Sequence, residues 1–393
     1  MTIFRGYRAR RAPAGIGVLA VLAAAACATA DPGAAPTGRD RDDALGAAMA
    51  AVVDAGFPGV QVVITDAGGQ RVRTAGRADT VTGAEFSADA RVRIGSNTKT
   101  YVAVVIMQLV AEGTVALDDP VEKYLPGVVR GNGNDGNRIT VRQLLQHTTG
   151  LPDYLASGDP AVARDPNSPQ LQGDAAALRT RHFTPRELVD IAMSLPPQYE
   201  PGARAVYTNT NYILLGMLVE QVTGKPVAAE IQTRVLDRLG LRDTYFPADG
   251  EQVIRGPHPR GYEESAGQRV DFTDLDPSWG GAAGAMVATG ADLNRFFRAL
   301  LAGELLPAPL LAEMRVTVPF DRMPGAGYGL GLIHQPVSCG AEVWGHGGSI
   351  PGFETRNGVT AAGVAVTVIV NQLPVSEAQA ATVTAALDTA LCS

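Results

Sequence analysis

The distribution of apolar residues predicts strands near both ends of the chain. Val60 to Asp66 is rich in β-branched residues, and the turn at Gly68-Gly69 joins it to Arg71–Ala75, which predicts a hairpin. Two further apolar runs, residues 342–345 and 363–371, predict strands close to the C-terminus. Strands that are this far apart in sequence can form a single sheet only if the two ends of the chain pair with each other.

Helical segments fill the region between these strands and also flank it. Capping boxes mark two helix starts, Thr140 with Gln143 and Thr184 with Glu187. Gly224 follows an apolar helical pattern and predicts its end. The predicted helices cover residues 43–56, 98–112, 209–222, 292–301 and 377–391.

Together these elements predict a mixed α/β (α+β) fold. An antiparallel sheet built from both termini is flanked by helices, and a lobe from about 105 to 285 is all-helical. The expected organisation is a signal peptide over 1–30, a linker over 31–41 and a single catalytic domain over 42–393.

The N-terminus resembles an export signal. Four arginines precede an apolar run over about 14–26, which is too short to span a bilayer, and Ala28-Thr29-Ala30 fits a cleavage site. Cys27 ends a permissive lipoprotein box and is a candidate lipidation site, so the expected location is secreted or in the cell envelope, with or without a lipid anchor. A buried helix is the alternative interpretation of this segment.

Composition and charge exclude some classes of function. Apolar residues make up 46% of the chain and the formal net charge is −7, without the basic face that nucleic-acid binding requires. Five scattered histidines have no metal-ligand spacing, so neither a metal nor a cofactor is expected, and a monomer is assumed. Without Cys27, the even pair Cys339 and Cys392 predicts a disulfide in an exported protein, with two separate buried thiols as the alternative.

Ser96 and Lys99 carry the strongest chemical signal. The chain has only three lysines, and Lys99 lies at the start of its most apolar predicted helix, where a solvated cation is least expected. A spacing of three puts both side chains on one helical face, and a desolvated lysine, unlike arginine, can release its proton. A serine with a base beside it, at a helix N-terminus that favours an anion, has the parts of a nucleophile.

Two more segments complete a candidate site. Tyr207 and Asn209 form a Y-x-N at the start of another apolar helix, where they offer a proton relay and a hydrogen bond to a substrate amide. His346-Gly347-Gly348-Ser349 follows a predicted strand, and its glycines would let a substrate backbone approach the strand edge.

The three motifs in this order resemble the penicillin-recognising serine enzymes, in which S-x-x-K, Y-x-N and K-T-G or H-x-G line one cleft. Further stretches are similar to the Streptomyces-type D-alanyl-D-alanine carboxypeptidases, which share their fold with class C β-lactamases and many serine esterases. The resemblance spans roughly residues 43 to 355. Those stretches are residues 57–60, 93–99, 146–154, 207–212, 283–286, 327–332 and 339–340.

The resemblance implies a role for each matching residue. Ser96 would be the acylated nucleophile, Lys99 would help to deprotonate it, and Tyr207 would shuttle the proton. Asn209 and His346 would bind substrate, and the backbone N–H groups of Ser96 and Ser349 would form the oxyanion hole. Three more residues match positions at or near the cleft: Gly347, Gly348 and Trp279. Trp279 is equally well explained as core, and His147, at another family position, is expected to shape a helix end.

Two departures bear on the substrate. Gly347 replaces the threonine of the third motif, and residues 333–336 (Ile-His-Gln-Pro) replace an arginine cluster, so two carboxylate-binding elements are missing. These departures leave the reaction class, hydrolysis through an acyl-enzyme, intact but count against a D-Ala-D-Ala terminus as the substrate. The resemblance implies cleavage of D-Ala-D-Ala peptides and acylation by β-lactams, and protonated His346 is then expected to hold the substrate carboxylate. An esterase or β-lactamase on the same site is the alternative, and a catalytically inactive wall- or peptide-binding module is the alternative from another class.

Overall fold

A central antiparallel sheet joins the two ends of the chain in the computed structural model, which describes residues 38–155, 171, 179–265, 267–320 and 322–392. The strands of this sheet are β1 (Gly59–Asp66), β2 (Gly69–Gly76), β9 (Val318–Pro319), β10 (Gly327–Tyr328), β11 (Ile333–Gln335), β12 (Val343–Gly345), β13 (Gly347–Ile350), β14 (Phe353–Thr360) and β15 (Ala365–Val370). Their order across the sheet is β2-β1-β15-β14-β12-β11-β10-β9, and β13 pairs with β14 beside this path.

The pairing of β1 with β15 confirms the sheet predicted from both termini. Val62 lies opposite Val368 in this antiparallel register, and both strands are apolar because helices cover both of their faces. On one face pack α1 (Gly38–Asp54) and α12 (Glu377–Cys392), and on the other packs α10 (Gly290–Leu301).

Short helices form most of the lobe predicted between about residues 105 and 285, and the two predicted capping boxes are confirmed at the starts of two of these helices. The remaining helices are α2 (Thr98–Ala111), α3 (Val121–Tyr124), α4 (Val141–Leu145), α5 (Pro185–Met193), α6 (Thr210–Thr223), α7 (Val227–Ile231), α8 (Asp237–Leu239), α9 (Gly281–Gly284) and α11 (Ala308–Met314). Thr140 and Gln143 cap α4, Thr184 and Glu187 cap α5, and Gly224 ends α6 with a φ of 70°.

The prediction of an all-helical lobe needs correction. Two short hairpins interrupt it, β4 (Arg130–Gly131) with β5 (Asn134–Asp135) and β6 (Tyr262–Ser265) with β7 (Gln268–Asp271). Their strands have two to four residues and carry no apolar period, so turn glycines rather than hydrophobic patterning define them. A further two-stranded ladder pairs β3 (Arg91–Arg93) with β8 (Val287–Thr289) directly before the Ser96 segment.

A disulfide joins the C-terminal helix to the loop between β11 and β12. The structure links Cys339 and Cys392 in a disulfide with a Cα–Cα distance of 5.6 Å, the pair predicted from cysteine usage. The proposed signal peptide with Cys27 lies outside the described residues, and α1 begins at Gly38, inside the segment expected to be linker. Among the described helices, none has both the length and the apolar character needed to cross a membrane.

Candidate active site

The serine of the first motif lies in a 3₁₀ turn, Gly95–Asn97, that leads directly into α2. The Asn97 side chain anchors this turn, because its Nδ2 donates to the Ile94 carbonyl at 2.9 Å and to Thr355 Oγ1 at 2.7 Å. The Oγ1 of Thr98 donates to the Gly95 carbonyl at 2.8 Å. Ser96 is therefore presented from a turn that buried hydrogen bonds hold in place.

Lys99 is fully buried beneath Ser96. Its Nζ lies 3.0 Å from Ser96 Oγ, 2.9 Å from Asn209 Oδ1 and 2.7 Å from the Ala283 carbonyl oxygen. Burial lowers the pKa of Lys99 well below its usual range, an effect larger than the opposing charge of Asp153. A neutral amine that donates its two hydrogens to the Asn209 and Ala283 oxygens directs its lone pair at the Ser96 hydroxyl. The geometry therefore suits Lys99 as a base.

Asn209 and Tyr207 reach the same point from the start of α6. Asp153 Oδ2 accepts hydrogen bonds from the Asn209 backbone N–H at 3.2 Å and from its Nδ2 at 3.0 Å, which turns Asn209 Oδ1 toward Lys99. The Tyr207 ring centroid lies 4.8 Å from Lys99 Nζ. Burial raises the pKa of Tyr207, although a hydrogen bond with Ser96 opposes this, so its phenol keeps its proton at neutral pH.

The third motif approaches Ser96 through a contact that only glycine permits. A Cβ on Gly348 would clash with the Ile94 carbonyl oxygen, and a Cβ on Gly95 would lie 2.9 Å from the Ser349 nitrogen. Gly95 also has a φ of 49°. This close packing of β13 against the 3₁₀ turn places the backbone of Ser349 beside that of Ser96, which is where an oxyanion hole made of their two N–H groups would lie.

The expectation that protonated His346 holds a carboxylate is wrong. His346 is buried, its Nε2 lies 3.0 Å from the Tyr328 hydroxyl, and its Nδ1 lies 2.6 Å from the Gly347 carbonyl oxygen and 3.0 Å from the Gly347 nitrogen. Burial lowers the pKa of His346 to about 3. The imidazole is therefore neutral at physiological pH, and it shapes the wall of the cleft without supplying charge.

We therefore expect substrate carboxylate recognition to be independent of His346 titration. The ratio of kcat/KM for a peptide acid to that for its C-terminal amide should stay constant between pH 6 and 8, since no group that holds the carboxylate changes charge there. The measurement is a pH series with both peptides. A ratio that falls with a midpoint near 6.5, and that becomes constant in His346→Gln, would contradict this assignment.

The same pKa shift has a consequence for stability. Between pH 6.5 and about 3 the unfolded chain binds a proton at this histidine while the folded chain does not, so lowering the pH through this window removes stability. The urea midpoint of His346→Gln should therefore fall less between pH 7 and 4.5 than that of the wild type.

The predicted site residues surround one cleft with a volume of 320 Å³. Trp279 lines it with only 8% of its surface exposed, so the core and cleft interpretations both hold. A larger cavity of 860 Å³ near Arg298 and Trp344 contains none of the predicted site residues. The predicted residues that line the cleft are Ser96, Tyr207, Asn209, Trp279, His346, Gly347, Gly348 and Ser349.

Sequence reasoning missed three charged residues at this site. Asp153 lies beneath Asn209, Arg356 lines the cleft wall, and Arg322 lies over the Tyr207 ring with its Cζ 4.7 Å from the centroid. Asp153 lies in the stretch 146–154 that resembles the family, and Arg356 had a signal in the alternation Glu354-Thr355-Arg356 within an otherwise uncharged strand. His147 does end a helix as expected, with a φ of 57°, and its ring also packs against Tyr207 at a centroid distance of 4.2 Å.

Comparison with known proteins identifies the family. The Beta-lactamase family model matches residues 41–390, which is most of the chain. The chain belongs to the Beta-lactamase family. This family of serine hydrolases shares the β-lactamase/transpeptidase-like fold, to which the antiparallel sheet and its helical lobe conform. No group of three His, Cys, Asp or Glu side chains suited to a metal occurs in the described part of the chain.

Proteins similar to this member of the Beta-lactamase family carry several different names. A D-stereospecific amidohydrolase from Streptomyces sp. is 41% identical, with a TM-score of 0.76 over 84% of this chain and 94% of that one. Esterase EstB of Burkholderia gladioli is 32% identical over 54% of this chain. A protein of Escherichia coli O157:H7 with the provisional name D-alanyl-D-alanine carboxypeptidase is 29% identical over 49%. The chain spans only 52% and 44% of the last two proteins, about half their length.

Proposed function

We propose that this protein is an exported serine hydrolase that cleaves the terminal amide bond of peptides ending in D-Ala-D-Ala through an acyl-enzyme on Ser96, and that β-lactams acylate the same serine. The observation that carries the proposal is the buried Lys99 amine, 3.0 Å from Ser96 Oγ, with two carbonyl oxygens as its other partners. Export rests on the N-terminal signal pattern alone, and a lipid anchor on Cys27 would follow from the same segment.

In the first half of the reaction, Lys99 accepts the proton of the Ser96 hydroxyl while Oγ forms a bond to the scissile carbonyl carbon. The backbone N–H groups of Ser96 and Ser349 stabilise the negative charge that develops on the carbonyl oxygen. The phenol of Tyr207 then donates its proton to the leaving amide nitrogen and recovers one from Lys99. The carbon–nitrogen bond breaks, the amine product departs, and the acyl group stays on Oγ.

Water completes the cycle. It adds to the ester carbonyl, loses a proton to the Lys99–Tyr207 pair, and displaces Ser96 Oγ, which regains that proton. Ser96, Lys99 and Tyr207 thereby return to their starting protonation states, because a water proton replaces the proton that left with the amine. Burial lowers the pKa of Lys99 and so favours the neutral amine that activates Ser96.

The preference for D-configured amides draws on two lines of support. The motif set resembles the D-alanyl-D-alanine carboxypeptidases, and the 41% identical structure carries the name of a D-stereospecific amidohydrolase. An esterase is the second candidate, favoured by the 32% identity to Esterase EstB. Both activities use the same acyl-enzyme, so only the leaving group distinguishes them.

A side-by-side substrate comparison tests the proposal. Purified protein is given a D-Ala-D-Ala peptide, its L-Ala-L-Ala counterpart, nitrocefin and a short-chain ester, and intact mass is recorded after exposure to penicillin. We expect a penicillin adduct and turnover of the D-peptide but not of the L-peptide. Rapid ester turnover without D-peptide cleavage at any pH would replace the carboxypeptidase with an esterase, and the absence of both turnover and adduct would favour the inactive binding module.

A further inference from the structure

A peptide substrate that ends in a free carboxylate calls for a positively charged side chain on the leaving-group side of the cleft. The assignment of that side chain rests on the proposed function. His346 is neutral and Gly347 has no side chain, so the third motif itself offers none. Among the described residues that line the cleft, the remaining arginines are Arg322 and Arg356. Their positions relative to the third motif differ.

Arg356 lies directly opposite the third motif. In the antiparallel pairing of β13 with β14, Gly347 faces Arg356 and Ser349 faces Glu354. A Cβ on Gly347 would lie 2.6 Å from Arg356 Nη1, so the guanidinium occupies the space that a side chain at 347 would fill. Because glycine has no side chain, position 347 leaves free the space that the Arg356 guanidinium occupies.

Glu354 holds this guanidinium in place. It lies two residues from Arg356 on the same face of β14, and its carboxylate pairs with Arg356 Nη2. The Glu354 side chain is only 2% exposed and also accepts a hydrogen bond from the Ser349 hydroxyl, whereas 28% of the Arg356 side chain is exposed. In the described residues no acceptor is found for Nη1, which leaves that side of the guanidinium available to a ligand.

The distance from Ser349 to Gly347 matches the distance from the scissile carbonyl of a substrate to a terminal carboxylate one residue further on. Gly347 precedes Ser349 by two residues, which is about 7 Å along a strand. One substrate residue spans about 3.6 Å, and a hydrogen bond to its carboxylate adds about 3 Å. A guanidinium above Gly347 can therefore reach the terminal carboxylate while the scissile carbonyl oxygen lies at the Ser349 N–H.

We propose that Arg356 binds the C-terminal carboxylate of the substrate on its leaving-group side, and thereby determines the preference for peptide acids over peptide amides. Arg356 thus supplies, from the neighbouring strand, the charge that the third motif lacks. Arg322 is the weaker candidate because it lies over Tyr207 rather than over the third motif.

The test compares two peptides that differ only at the C-terminus. Arg356→Gln should raise KM for the D-Ala-D-Ala acid by about 10- to 100-fold, the usual effect of losing a hydrogen bond to a charged group. KM for the C-terminal amide of the same peptide should change less than about threefold. Arg73→Gln, an exposed arginine on β2, is the matched control and should alter neither value. An equal loss on both peptides, or none on either, would overturn the assignment.

Two further measurements separate the possible failures. Arg356→Gln leaves Glu354 buried without its partner, so the double variant Arg356→Gln/Glu354→Gln, which carries no buried charge, is tested in parallel and must show the same selective loss.

If the wild type cleaves no D-peptide, the proposed substrate is wrong, yet Arg356 can still be tested. The acylation rate by a penicillin should then fall in Arg356→Gln while that by its methyl ester does not, and equal rates would overturn the role of Arg356.

Discussion

Replacing Ser96 with alanine should lower turnover of every substrate by roughly 10⁶-fold, the size of loss found when a catalytic serine is removed. The reason is structural: among the described residues, Ser96 is the serine whose hydroxyl lies 3.0 Å from the buried Lys99 amine. The measurement is steady-state kinetics together with intact mass after penicillin treatment. The wild type should gain one adduct and Ser96→Ala none.

Ser349→Ala provides the control for this experiment. Its hydroxyl donates to Glu354 and its predicted contribution to catalysis is a backbone N–H, which alanine retains. This variant should therefore still be labelled at Ser96. Peptide mapping that placed the adduct on Ser349 would show that the nucleophile has been misassigned.

Lys99→Arg should lower kcat by roughly 10²- to 10⁴-fold, the range attributed to a general base. Arginine keeps the positive charge but does not release its proton, and its larger head group must fit among Ser96, Asn209 and the Ala283 carbonyl. In the wild type, kcat/KM should rise with pH as Lys99 loses its proton, because only the neutral amine can accept one. Since burial lowers the pKa of Lys99, this rise should occur at a lower pH than for an ordinary lysine.

Lys123→Arg is the matched control, because the chain has three lysines and Lys123 is an exposed one paired with Asp119 at 2.7 Å. It should leave the pH profile unchanged. Thermal melts of both variants verify folding. A Lys99→Arg variant that folds and retains near-normal kcat would show that the proton of Ser96 goes elsewhere.

Local sequence signals predicted much of the fold. Thr140 and Thr184 each cap a helix through a residue three positions on, and Gly224 ends a helix in a left-handed conformation. These features depend on hydrogen bonds within one turn, so the neighbouring residues specify them. The short hairpins at 130–135 and 262–271 were not predicted, since strands of two to four residues are too short for an apolar period.

The sequence by itself also determined the core of the site. Ser96 and Lys99 are one helical turn apart, and the apolar helix around Lys99 implies burial, so the sequence predicted a serine beside a desolvated lysine once the other two motifs were considered with them. The predicted sheet between the two ends likewise followed from where the apolar runs lie.

Only the tertiary structure decided which group in the cleft carries charge. The sequence suggested His346, but packing against Tyr328 desolvates it and keeps it neutral. Arg356 comes nine residues after Gly347, and the hairpin that pairs β13 with β14 across a two-residue turn places them opposite each other. This hairpin becomes part of the cleft only because β13 packs against the distant Ser96 turn. Desolvation of His346 likewise depends on tertiary packing, so spacing along the chain could not reveal the charge available to a substrate.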